Sequence, residues 1–167
     1  MIRIANIETD DVANGKGFGI VIWVQGCRVN CKGCQNIETW DFSKGREITV
    51  DDTSYIINEL RRPEIKRITI SGGHPFEPEN AEDVLSLVQF VKENFSNKSV
   101  WIYSGLTYEE LILDATYKNI LKYCDVLVDG PFILEQRDVT LAFRGSKNQR
   151  VIDVQKSLEK KEVILFE

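Results

Sequence analysis

The sequence contains no run of about 18 apolar residues, so no membrane span is expected. It has no excess of basic charge: 26 acidic residues against 21 basic ones give a formal net charge of −5. That balance argues against a nucleic-acid backbone or an anionic membrane as the main partner. No P-loop, GxSxG elbow or HExxH motif occurs, which removes the familiar signatures of phosphate cradling, serine nucleophiles and zinc proteases. No Pro/Gly/Ser linker, low-complexity tract or solenoid repeat divides the chain. The N-terminus, MIRIANIETDDVANG, is too acidic and too poor in apolar residues for a signal or transit peptide, so a cytoplasmic protein is expected. The 167 residues, 43% hydrophobic, suffice for one domain with a real core, and 1–167 is read as a single domain.

What is present is a strand–helix alternation. Gly19–Val24 (GIVIWV), Lys66–Ser71 (KRITIS), Ser99–Tyr103 (SVWIY) and Asp125–Val128 (DVLV) are short apolar runs rich in β-branched residues; Arg150–Val154 and Val163–Phe166 are weaker ones. Helical periodicity places Tyr55, Ile56 and Leu60 on one face of residues 51–61. It also places Val84, Leu87, Val88 and Val91 on one face of 81–94, after an Asn80 N-cap. Thr107–Glu110 reads as a capping box. This order predicts an α/β fold with a mostly parallel sheet. The length falls short of the ~250 residues of a full eight-fold barrel, so a partial (β/α) barrel or open sheet is expected. Chemistry in such folds sits at the C-terminal ends of the strands. There the sequence places its cysteines, then Ser71-Gly72-Gly73-His74-Pro75, Ser104-Gly105 and Asp129-Gly130-Pro131.

Three of the four cysteines fall within eight residues, as Cys27-x-x-x-Cys31-x-x-Cys34. Disulfide scaffolds spread their cysteines to close long loops; crowded thiols look instead like ligands of a thiophilic metal. Three thiolates on one loop can hold three corners of a 4Fe–4S cubane and leave the fourth iron open to a small molecule. The plainer alternative is a structural zinc site completed by His74 or Cys124, although zinc sites favour two separated ligand pairs. Cys124 precedes an apolar strand and reads as a small buried hydrophobe. Asp129 reads equally as a pocket carboxylate or a turn cap. Arg137-Asp138 and Arg144-Gly145-Ser146 read as closing a pocket or facing a partner, with a solvated loop as the alternative. Trp23, Trp101 and Phe90 read as core, and Lys156–Glu162 as a solvated charge run.

Several further stretches accompany the cysteines: Asn14-Gly15-Lys16-Gly17, Trp40-Asp41, Trp101-Ile102-Tyr103-Ser104-Gly105, Val128-Asp129-Gly130-Pro131-Phe132 and Arg144-Gly145-Ser146-x-Asn148-Gln149-Arg150. Together with CxxxCxxC and SGGHP, they resemble the radical SAM superfamily. Within it, they are most similar to the small glycyl-radical activases of anaerobic ribonucleoside-triphosphate reductase. The resemblance implies a radical SAM-type open sheet and one 4Fe–4S cluster on Cys27, Cys31 and Cys34, with S-adenosylmethionine on the open iron. It implies contacts to that molecule from Gly33, Gln35, Gly72 and Gly73, with Tyr103, Ser104 and Gly105 weaker candidates; His74 is expected in the pocket wall near the methionine end, and Asp129, as a pocket carboxylate, would join it. The implied reaction is reductive cleavage of S-adenosylmethionine to a 5′-deoxyadenosyl radical that takes hydrogen from a glycine of the reductase. A one-electron donor such as flavodoxin would supply the electron.

Two positions depart from the superfamily pattern. Gly33 stands where many members carry an aromatic residue, which leaves the adenine contact unassigned. His74 stands where an acidic residue is usual, and a neutral imidazole cannot reproduce a carboxylate's charge. Competing readings are an activase of another glycyl-radical enzyme of the pyruvate formate-lyase type, a zinc-binding module, and a small iron–sulfur electron carrier.

Overall fold

The computed structural model describes residues 1–167. Seven strands form one sheet: β1 (Arg3–Asp11), β2 (Gly19–Val24), β3 (Arg46–Glu47), β4 (Arg67–Gly72), β5 (Ser99–Tyr103), β6 (Val126–Asp129) and β7 (Arg150–Asp153). Their order is β3-β1-β2-β4-β5-β6-β7. The central β2, β4, β5 and β6 are parallel, while β1, β3 and β7 pair antiparallel. The sheet is therefore open, mostly parallel and bounded by β3 and β7, as expected. Two strands were not anticipated, β1 and the two-residue β3. Residues 163–166 form only a bridge, Leu165 to Ile152, and not a strand.

Side chains alternate across a strand, so each parallel strand offers one residue set to each face. Ile20, Ile22, Val24, Ile68, Ile70, Val100, Ile102 and Leu127 form one set, and all are fully buried in a single apolar cluster. The helices α1 (Val50–Leu60), α2 (Pro78–Asn94), α3 (Tyr108–Leu111) and α4 (Ala115–Lys122) supply the other half of that cluster through Ile56, Leu60, Val84, Val88, Val91, Leu111, Ile120 and Leu121. Each such side chain contributes about 1.5–3 kcal/mol of transfer free energy when buried. Tyr55 is displaced from the expected stripe and is 41% exposed, and Phe90 is also exposed. None of these helices is long and apolar enough to cross a membrane.

The helix ends explain where elements start. Thr49 and Asp52 form a capping box for α1, and Thr107 and Glu110 form the expected one for α3. The latter helix is only four residues long; Asp114 then caps α4 separately. The start of α2 differs from expectation. Glu77 is its N-cap and Pro78 its first residue, while Asn80 lies inside the helix and donates its side-chain amide to Gln25 O and His74 O. Asp153 caps α5 (Val154–Lys160), so part of the charged tail is helical.

The opposite face of the sheet has no helix. Its residues run in register as Val21, Thr69, Trp101 and Val126, with Trp23 beside Ser71 and Tyr103 beside Val128 in the next row. Coil covers it instead. Trp101 packs edge-on against Phe143 and Phe166 at 5.1 and 5.2 Å between centroids. Arg67, fully buried, pairs with Asp11 at 2.6 Å and donates to Thr69 Oγ1 at 2.8 Å; Thr69 in turn donates to Asn14 O. This network holds the loop that joins β1 to β2 against the sheet.

Candidate iron–sulfur and cosubstrate site

The cysteine loop begins where β2 ends. Gln25 is buried, and its side-chain amide donates to Glu38 O at 3.0 Å and Asp41 O at 2.8 Å. The Gly26 and Cys27 N–H groups donate to Thr39 O and Trp40 O at 2.7 and 3.2 Å. The chain therefore leaves the sheet, carries its three thiols and returns to a closed base. Within the loop, Cys34 N–H donates to Cys31 O at 3.1 Å and Asn36 N–H reaches Cys34 Sγ at 3.3 Å. Arg28 clamps the outside: it stacks over the Phe42 ring at 4.2 Å and pairs with Glu77 and Glu79 near the start of α2.

All three thiols are free and half-buried, and burial pushes those of Cys27 and Cys31 up from the usual thiol range. Bound metal acts against that direction, because it requires the thiolate. No three His, Cys, Asp or Glu side chains converge as the ligands of a single ion do. A cubane does not ask for such convergence, since each cysteine binds a different iron.

Facing the loop are the C-terminal ends of β4, β5 and β6. Gly72 and Gly73 make this approach possible. Gly72 has φ +99°, and a Cβ on Gly73 would stand 2.5 Å from Gly26 O. Backbone bonds close the seam, with Gly73 N–H to Val24 O and His74 N–H to Gly26 O, both 2.8 Å. Between loop and strand ends lies a cavity of about 130 Å³ lined by Cys27, Cys31, Cys34, Ser71, Gly72, Gly73, His74, Tyr103, Ser104, Gly105 and Phe132, among others. A second cavity of about 460 Å³ shares Cys34, Ser71, Tyr103, Phe132 and Gln149 with it and extends past Trp23, Gln35 and Asn14 to Arg144. The larger one is in the size range of small-molecule sites.

The outer wall of both cavities is the segment from Gly130 to Gln149, and its own side chains tie it. Asn148 donates to Pro131 O at 2.7 Å and Gln149 to Gly130 O at 3.1 Å, while Gln149 Oε1 accepts the Gly145 and Ser146 N–H groups. Arg144 donates to Lys147 O and Gln149 O. The RGSxNQ stretch is thus the clasp of this segment, and Gln149 and Phe132 belong to the site although neither was singled out as a contact from sequence.

Of the residues expected from sequence, the structure gathers the three cysteines, Gly72, Gly73, His74, Tyr103, Ser104 and Gly105 around one cavity and Gln35 around its neighbour. Gly33 lies outside both linings, beneath Leu134. Asp129 lies outside them too. Its buried carboxylate accepts Tyr108 N–H at 2.8 Å and pairs with Arg150 at 2.6 Å, which is the turn-capping alternative. Cys124 is fully buried among apolar residues, with Sγ 3.2 Å from Val126 O. Trp23, expected in the core, lines the larger cavity, and its indole Nε1 has no partner.

Residues 13–152 match the family described as a 4Fe-4S single cluster domain. The anaerobic ribonucleoside-triphosphate reductase-activating protein of Haemophilus influenzae is 44% identical over 143 residues, spanning 83% of this chain and 90% of its own. Its counterpart in Vibrio cholerae is 45% identical over 141 residues, with the same two coverages. The chain belongs to this family of anaerobic ribonucleoside-triphosphate reductase-activating proteins. A phage T4 member is 35% identical over 141 residues, covering 84% of this chain and 87% of its own. Among solved structures, QueE from Escherichia coli aligns with 64% of this chain and 53% of its own, with a TM-score of 0.48 and 23% identity. The 4Fe–4S cluster of this activating-protein family suits the donors present: three free thiols at separate positions on a loop braced at its base, beside a cavity free of further thiols.

Proposed function

We propose that this protein activates an anaerobic ribonucleoside-triphosphate reductase by forming a glycyl radical on it through reductive cleavage of S-adenosylmethionine. The observation that carries the reading is the cavity in which three thiols face the Gly72–Gly73 strand end, within a member of the activating-protein family. Cys27, Cys31 and Cys34 would hold three irons of the cluster. That cluster, when bound and reduced, supplies the electron that breaks a carbon–sulfur bond of the sulfonium.

The remaining work belongs to the chain's own residues. Gly72 and Gly73 line the cavity beside the three cysteines, and their backbone groups would meet the methionyl end of S-adenosylmethionine. His74, Tyr103 and Ser104 supply polar groups around the same cavity, and Gln35, Trp23 and Asn14 wall the larger space beyond. The 130–149 segment walls one side of both cavities. Asp129 and Gly33 are not among the proposed contacts, since each faces other protein groups. No general base or nucleophile is required, because positioning and exclusion of water are what the protein must provide.

Four free thiols suit a reducing compartment, so the proposed place of action is the cytoplasm, with a flavodoxin-type one-electron donor. The test is to mix the reduced, cluster-loaded protein with S-adenosylmethionine and an anaerobic ribonucleoside-triphosphate reductase. The expected result is a glycyl-radical resonance on the reductase with matching formation of methionine and 5′-deoxyadenosine. A radical formed only on a pyruvate formate-lyase would move the target to another glycyl-radical enzyme. A cluster that reduces and reoxidises without consuming S-adenosylmethionine would leave an electron carrier.

A further inference from the structure

The proposed contacts leave Glu77 without a task. It is buried, lines neither cavity and, although it is the N-cap of α2, gives no side-chain bond to that helix. Its carboxylate faces two parts of the site instead. Oε1 accepts the Arg28 backbone N–H at 2.7 Å, next to Cys27, and lies 3.6 Å from His74 Nδ1. Oε2 takes the Arg28 guanidinium at 2.8 Å. Arg28 is shared with Glu79, so one guanidinium serves two carboxylates. Burial alone would push the Glu77 carboxyl up; its contacts with His74 and Arg28 outweigh that and hold it below the usual range.

The surroundings of His74 fix its tautomer. Nε2 is 3.3 Å from Ser104 Oγ, which already accepts Leu106 N–H at 2.9 Å, so the Ser104 proton is free to point at Nε2. A bare lone pair on Nδ1 would face a carboxylate oxygen across buried space, whereas an N–H there is attracted to it. The proton therefore sits on Nδ1. Nε2 takes the Ser104 proton with its one lone pair, which leaves Ser104 Oγ an acceptor pair beside the cavity that both residues line with the three cysteines.

We infer that Glu77 is a positioning residue: one carboxylate fixes His74 as the acceptor of the Ser104 hydroxyl at the cavity and pins the start of the cysteine loop. The cysteine loop and that acceptor then form one unit. A carboxylate behind an imidazole also strengthens it as an acceptor, as it does for histidines that bind metals. The primary ammonium of S-adenosylmethionine, which the remaining Ser104 lone pair would receive, rests on the functional reading above; the orientation of the ring does not.

His74 is the only histidine, so a 15N-histidine label reports one imidazole. In the full-length protein with its cluster oxidised, the expected spectrum places the proton on Nδ1 and the acceptor at Nε2. Glu77→Gln should keep that tautomer through its amide oxygen, and Glu77→Ala should lose the preference. Titration of S-adenosylmethionine against the cluster's electron paramagnetic resonance should show about tenfold weaker binding in Glu77→Ala than in the unaltered protein, compared at matched iron and sulfide content. An Nε2-protonated ring in the unaltered protein overturns the inference, as does a Glu77→Ala variant with unaltered tautomer and affinity. A cluster signal indifferent to S-adenosylmethionine in the unaltered protein overturns the functional reading instead, and the tautomer still decides the orientation.

Discussion

The two faces of the sheet are made from the same strands and do different work. Toward the helices, β2, β4, β5 and β6 present Ile, Val and Leu, all fully buried, until Gly72 and Asp129 at the strand ends. Toward the coil they present Trp23, Arg67, Thr69, Ser71, Trp101 and Tyr103, whose polar atoms must each find a partner. Most do: Arg67 meets Asp11 and Thr69, and Tyr103 donates to Phe143 O. Two buried atoms, Trp23 Nε1 and Arg67 Nε, do not. An apolar face can be satisfied by any well-packed helix. A polar face needs specific loops, and those loops build the site.

Substitutions can break this division. The largest effect is expected from alanine at Cys27, Cys31 or Cys34, each of which should abolish S-adenosylmethionine cleavage, measured as 5′-deoxyadenosine formed. Cys124→Ala, on the helix side, should leave cleavage largely intact. Near-normal turnover from Cys31→Ala would remove the ligand assignment.

Ile70→Ala on the helix-covered face should cost about 2–5 kcal/mol in chemical denaturation while the protein that remains folded still assembles its cluster. Asp11→Asn on the other face leaves Arg67 buried without its counter-charge and should cost about 3 kcal/mol. Its pH signature separates it from an apolar loss. Burial would raise the Asp11 carboxyl, but the bonds from Arg67 and Asn14 outweigh burial and hold it low. Its stabilisation is thus complete above the unfolded value of about 3.9 and is lost as pH falls through the lower folded value. Thermal melts should show that acid-side loss in the unaltered protein and a shallower one in Asp11→Asn. The smallest effect is expected for Tyr103→Phe, about 1 kcal/mol from one hydrogen bond to the 130–149 segment.

The same comparison explains what could be read from the sequence. The helix-facing set announces itself as runs of β-branched residues, so β2, β4, β5 and β6 were legible, as was the Thr107 capping box. The cysteine spacing and the Gly72–Gly73 pair were legible because their chemistry is local. By contrast, β1 has register irregularities at Ile4/Asn6 and Glu8/Asp11 and carries mostly polar residues, so its periodicity is broken. Arg67 opens an apolar strand, and nothing adjacent in sequence marks it as buried; its partner Asp11 is 56 residues away. Asn80 has the residue type of an N-cap, but Pro78 starts the helix earlier and frees its amide for Gln25 and His74. Glu77 was hidden for the same reason, since its partners Arg28 and His74 come together only in the fold.

The most direct test of the account is the electron paramagnetic resonance of the anaerobically reconstituted, reduced protein, recorded with and without S-adenosylmethionine. Three cysteine ligands and an open fourth iron predict a 4Fe–4S signal that changes shape when S-adenosylmethionine is added. An unchanged signal, or a protein that takes up zinc and no cluster, would contradict it.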